Sequence, residues 1–130
     1  MKFDFLAPWA PYIRSVLRIL AAASFFTHGS MKLFGWPASM GDGALPPLML
    51  VAGILEVVGG LLLVVGLFSR PVAFVMSGLM AAAYFMAHAP QSFFPVLNNG
   101  EAAMLFCWVF LYISAAGPGP ISVDAKLGRA

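Results

Sequence analysis

Glu56 is the residue best placed to do chemistry, because it stands alone among apolar neighbours in the run from Pro47 to Phe68. If that run is a helix, the rise of 1.5 Å per residue puts Glu56 roughly 15 Å from its start. A carboxylate held so far from water is costly unless a cation or hydrogen-bond donors meet it. Acids inside membrane spans are therefore functional candidates by default. Such a group can hold a polar part of a ligand or exchange a proton with it. Gly53 at i−3 and Gly60 at i+4 share its face, and Gly59 and Gly66 add bare backbone. These small residues let a neighbouring helix come close.

The cations that could meet Glu56 lie upstream. Arg14, Arg18, Ala21, Phe25, His28 and Lys32 recur at alternating steps of four and three. That spacing places them on one helical face, which should turn inward and away from lipid. Arg18, His28 and Lys32 are the expected donors to Glu56. Arg14 is better read as an interfacial residue whose head snorkels to the headgroups. His88 and Glu101 complete the candidate polar core. Glu101 has a plain structural reading as well: in the first turn of a helix its charge complements the dipole, with Asn98 as a cap. For Glu56 too, the alternative is a buried pair that only fixes packing. Phe25-x-x-His28 and Phe85-x-x-His88 echo one another, but two residues are too few for a repeat. Two histidines on separate helices are the pattern of axial haem ligands, yet their depths differ by about 8 Å on the helical rise. There is also no CxxCH attachment motif. Haem is thus the weaker reading, and no metal cluster, phosphate loop or nucleophile motif is present.

The elements that must position these residues follow from composition. The 130 residues are 62% hydrophobic and only 9% charged. A soluble domain carries about a quarter charged residues, and a chain this short cannot bury so much apolar surface in water. The expected fold is all-α: a polytopic membrane protein, one domain over residues 1–130, built as a bundle of four transmembrane helices. The helices are expected at about 12–34, 47–68, 71–89 and 98–116, separated by Gly, Pro and Asn punctuation. Each is long enough, or nearly so, for a hydrocarbon core about 30 Å thick. The first imitates a signal peptide, with Arg14 and Arg18 ahead of Ile19–Phe26, but is read as the first span. Membrane lipid is thereby the expected surroundings.

Lys and Arg set the orientation. Lys2, Arg14, Arg18, Arg70, Lys126 and Arg129 fall at one end, and Lys32 stands alone near the other. The positive-inside rule then puts both termini in the cytoplasm. The net charge of +2 is spread along the chain and forms no basic patch, which argues against a nucleic-acid partner. The single cysteine, Cys107, is read as a small buried hydrophobe, since one cysteine makes neither a disulfide nor a CxxC pair.

Several short motifs together resemble the DoxX family of small bacterial membrane proteins. They are Arg18 with Gly29-x-x-Lys32-Leu33, then Gly53-x-x-Glu56-x-x-Gly59-Gly60 leading to Gly66-Leu67-x-x-Arg70. Asn99-Gly100-Glu101 and Gly117-Pro118-Gly119-x-x-Ser122-x-Asp124 follow in order. The resemblance implies a four-helix protein of the bacterial inner membrane, of a kind often labelled oxidoreductase, with soluble or membrane redox partners. It carries over no catalytic residue set. The favoured function is a component of a quinone-linked membrane redox system: an apolar pocket with a few polar groups suits a quinone, and Glu56, His28, Lys32 and Arg18 could supply those groups. The alternatives are a non-enzymatic scaffold or assembly factor for a partner complex, and a small-solute carrier, which with four helices would require a homo-oligomer.

Overall fold

The computed structural model describes residues 2–130, and among them every regular element is helical. After a single 3₁₀ turn at Ala7–Trp9, α1 spans Ala10–Phe34 and α2 spans Pro47–Val65. Helix α3 spans Ser69–Ala83 and runs on as a π-turn over Tyr84–His88. A short α4, Pro95–Asn98, precedes α5, Glu101–Ala116, and the tail ends in α6, Val123–Lys126. The loops at residues 35–46 and 89–94 share one end of the bundle, the loop end. The α2–α3 turn and the C-terminal tail share the other, the tail end.

Local chemistry sets the boundaries. Pro47 opens α2, where a missing N–H is harmless. Gly66 at φ 72° closes it, with Leu67 N–H reaching back to the Leu62 carbonyl at 2.9 Å. The apolar run continues to Phe68, but the left-handed Gly66 ends the helix at Val65. Helix α3 begins at Ser69 rather than at Pro71. Helix α5 begins at Glu101 rather than at Asn98, because Asn99, at φ 58°, breaks the chain between two helices.

Helix α1 packs chiefly on α2, and α3 on α5, while the α2–α3 and α1–α5 seams are looser. Glycine explains the tight pair. A Cβ on Gly29 would lie 2.7 Å from Glu56 Cβ and 2.9 Å from the Gly53 carbonyl oxygen. A Cβ on Gly60 would lie 2.9 Å from Phe26 Cβ. Gly59 faces the other way, against Met76 of α3. Phe25 fills the centre, with ring centroids 5.0 Å from Phe110 and 5.6 Å from Phe106. Phe25 is wholly buried whereas Phe85 is 70% exposed, so the two Phe-x-x-His segments are not equivalent.

Among the described residues, two helices, Pro47–Val65 and Ser69–His88, are long and apolar enough to cross a membrane. Helix α1 is 25 residues long but carries Arg14, Arg18 and Lys32, and α5 is apolar but has 16 residues. Large apolar side chains ring the outside, among them Leu20, Leu48, Val58, Phe74 and Trp108. A belt this extensive marks a surface made for lipid or a partner.

The close approach of α1 to α2 gives a paired test. Gly29→Ala should destabilise the protein by about 1–3 kcal/mol, the cost of overpacking. Gly78→Ala, where an added Cβ meets nothing within 4 Å, should be neutral or stabilising by up to about 1 kcal/mol through helix propensity. Thermal melting in detergent reads both. Equal melting temperatures for the two variants would contradict this packing.

Candidate functional site

Lys32 lies in the last turn of α1, where a cation complements the helix dipole, and points across the seam to α2. Its Nζ donates to both Glu56 oxygens at 2.7 Å. The Lys32 side chain is 14% exposed and that of Glu56 3%, so the pair is largely dry. Separating such charges is costly, since either alone would be stranded in an apolar interior. Of the three donors considered for Glu56, the structure thus brings Lys32 to it. The glycines make this geometry available: Gly29 lets α1 settle onto α2 directly over Glu56.

The pair forms one wall of a cavity of about 360 Å³ at the loop end, lined by residues of both helix pairs. Phe25, Phe106, Met49, Met80, Ala83 and Ala103 supply most of its apolar lining, and Met40 reaches it from the α1–α2 loop. Its polar groups are Lys32, Glu56, His28, His88 and Asn99. Both histidines therefore share a cavity with the ion pair. His28 presents its ring edge-on to Phe106 at 5.8 Å. His88 sits at the end of the π-turn, a wider helical turn often found at functional sites. Its Nδ1 donates to the Asn98 carbonyl at 2.9 Å, leaving Nε2 as its other polar atom. Wholly buried Asn98 organises this corner, donating to the Ser92 carbonyl at 2.9 Å and the Tyr84 hydroxyl at 3.3 Å, and accepting from Gly100 N–H at 2.8 Å.

Two expected members of the polar core lie elsewhere. Glu101 is exposed in the first turn of α5 and does not line the cavity. Arg18 is wholly buried, but at the tail end. Its Nε donates to the Leu63 carbonyl at 2.8 Å, and its Nη2 to those of Val64 at 3.4 Å and Ile121 at 2.7 Å, with Nη1 on the Pro118 carbonyl. The reason is distance along the helix: fourteen residues separate Arg18 from Lys32, about 21 Å at the helical rise. The buried stripe of α1 is also rotated slightly from the expected one. It runs Ser15, Arg18, Ala22, Phe25 and Gly29, leaving Arg14 half-buried and His28 exposed on its flank.

Arg18 belongs to a clasp in which each charged group covers a helix end. It caps the C-terminus of α2, while Arg70 donates to the Ser114 and Ala115 carbonyls at 3.1 and 2.6 Å and caps that of α5. The Asp124 carboxylate accepts from Phe68 N–H at 3.0 Å and Ser69 N–H at 2.8 Å, capping the N-terminus of α3. These bonds hold Phe68 in a left-handed conformation, φ 51°, that a bulky residue seldom adopts. Ser15 ties the tail to α1 by accepting from Ile121 N–H at 3.1 Å. Gly119, at φ 83°, is required here, since a Cβ would collide with the Ser15 hydroxyl. Helical spacing points to Arg18 as a member of the polar core but not to Ser15, Arg70 or Asp124. Asp124 and Arg70 stand in the Gly117–Asp124 and Gly66–Arg70 motifs, but their capping roles become visible only once the tail is folded back, and Ser15 carries no signal of its own. Burial by itself would raise the Asp124 pKa, but hydrogen bonds from Ser69 and Phe68 and the nearby Arg129 charge outweigh it and hold the pKa below the ordinary value.

The DoxX family model matches residues 13–89, from α1 through the π-turn. That segment contains Lys32, Glu56, His28 and His88. Over 127 residues the chain is 43% identical to an uncharacterized protein of Haemophilus influenzae, covering 93% of this chain and 95% of that one. Over 135 residues it is 25% identical to the inner membrane protein YphA of Escherichia coli, covering 95% of this chain and 96% of YphA. No solved structure matches it.

The ion pair and the clasp respond differently to substitution. Lys32→Met should cost about 3–5 kcal/mol by stranding Glu56, and Lys32→Met with Glu56→Leu should recover most of the loss. A double-mutant cycle on melting temperatures measures this, and single variants that melt like wild type would refute it. For Asp124 the lowered folded-state pKa means its contribution is complete above the ordinary value of 3.8 and is lost as pH falls through the folded-state value. Asp124→Asn should therefore lower stability by about 1–3 kcal/mol at neutral pH, with the gap to wild type narrowing in acid. Melting curves against pH check the sign; a gap that widens in acid would contradict it.

Proposed function

Because the chain belongs to the DoxX family of membrane proteins, we propose that it binds a small lipid-soluble ligand of the quinone class at the Lys32–Glu56 pair, as the membrane component of a redox system. One observation carries this reading: a dry ion pair walls a cavity of about 360 Å³ that is otherwise mostly apolar. Ligand sites begin at about 300 Å³ and are commonly apolar with a few convergent polar groups. A quinone ring suits such a place. Its carbonyl oxygen can accept from the Lys32 ammonium while its faces lie against Phe25, Phe106 and the Met side chains. On reduction a quinone takes up two electrons and two protons. Glu56 and Lys32 are the groups positioned to exchange protons with it, with His28 and His88 also lining the cavity. The electrons come from a redox partner, soluble or membrane-bound.

The chain in this reading lies in an inner membrane, as the name of YphA says of that relative, and crosses it four times. Helix α1 is long enough despite its cations: Lys32 is neutralised by Glu56, and Arg18 is satisfied by backbone carbonyls. Helix α5, about 24 Å long, is short for a core about 30 Å thick, a mismatch that local thinning accommodates. Lys2, Arg14, Arg70, Lys126 and Arg129 collect at the tail end, so that end and both termini face the cytoplasm. A packing-only scaffold is the second reading, favoured by Lys32 reaching both oxygens of Glu56.

Decylubiquinone added to the protein in lipid nanodiscs should raise the melting temperature of wild type and leave that of Lys32→Met with Glu56→Leu unchanged. No rise for wild type, or an equal rise for both, would refute quinone binding at the pair and favour the scaffold.

A further inference from the structure

The Lys32–Glu56 pair borders a second space as well. A cavity of about 140 Å³ lies along the α2–α3 seam. It shares Lys32, Met49, Glu56, Met80, Ala83 and Ala87 with the larger one. The side chains it does not share are all apolar: Leu48, Ala52, Leu79, Ala82 and Met86. The two spaces thus meet at the ion pair, and only the larger adds further polar groups.

The slot lies along one of the two looser seams of the bundle. Helices α2 and α3 pack less closely than α1 with α2 or α3 with α5, and alanines at 52, 82, 83 and 87 leave room between them. Two of its lining residues also belong to the outside of the bundle: Leu48 is 65% exposed and Met86 63% exposed. In a membrane that surface faces hydrocarbon.

We propose that the slot is a lateral portal, holding the hydrocarbon tail of an amphiphilic ligand whose polar ring sits at Lys32 and Glu56. The inference rests on the reading of the larger cavity as a ring site and adds what the ligand must carry: an apolar chain, leaving between α2 and α3. Chemistry selects the occupant. Apart from the ion pair, nothing in the slot can bond a polar group, so whatever lies there must be apolar. Its continuity with the ring site makes the tail of the same molecule the occupant in place of an unconnected lipid chain.

The test compares a tailless dimethoxy-methyl-benzoquinone with its decyl-tailed counterpart, both titrated against the full-length protein in nanodiscs. Ala52→Phe puts a ring into the slot. It should cut the preference for the tailed quinone over the tailless one by about tenfold, the scale of an overpacking cost. Ala82→Phe blocks the slot from the facing helix and serves where Ala52→Phe does not fold. An unchanged preference in a folded variant would overturn the portal while the ring site stands, as when a bilayer acyl chain fills the slot. Failure of both quinones to bind wild type would overturn the ring site and the portal together.

Discussion

A carboxylate carried deep into an apolar helix must find a cation, and most of the loop end follows from that demand. Glu56 can be met only if α1 comes close enough for Lys32 to span the seam. Gly29 and Gly60 remove the side chains that would hold the helices apart. The result is a tight α1–α2 unit whose ion pair is nearly dry. Helices α3 and α5 form their own unit around Phe110 and Ile113. The two units meet over Phe25 and again where His28 touches Phe106, and side chains of both line the cavity at the loop end.

The tail end solves a different problem. Helices α2 and α5 finish there with unpaired carbonyls, and α3 starts with unpaired N–H groups. In apolar surroundings such groups must be satisfied within the protein. Arg18, Arg70 and Asp124 do this, each with charge of the sign that the helix dipole favours. The bundle is therefore pinned at the tail end, and the cavity beside the ion pair lies at the other. A ligand site needs a rigid frame as well as open space, and the clasp supplies the frame without occupying the cavity.

Much of this was legible from residue type and period. The helical character, the isolation of Glu56 and the cationic stripe of α1 follow from apolar runs and i+3/i+4 spacing. The pairing did not follow, because spacing places Arg18, His28 and Lys32 on one face without saying which is level with Glu56. Depth decided it: α1 and α2 run in opposite directions, so a residue late in α1 meets one early to middle in α2. The tail was harder still. Ser122 and Asp124 look like polar tail residues until the Pro118–Ile121 backbone is seen folded under Arg18. The breaks at Val65 and at Asn98–Gly100 reflect left-handed residues that an apolar run does not reveal.

Membership of the DoxX family and the membrane-suited helices fix the class of protein; the ion pair beside an apolar cavity is the feature from which its chemistry is read. The most direct measurement is an experimental structure in lipid with a quinone analogue bound. The proposed site requires the ring in the cavity, with a carbonyl oxygen within hydrogen-bonding distance of Lys32 Nζ. A ring bound elsewhere on the bundle, or Lys32 turned away from Glu56 with the cavity filled by protein, would contradict it.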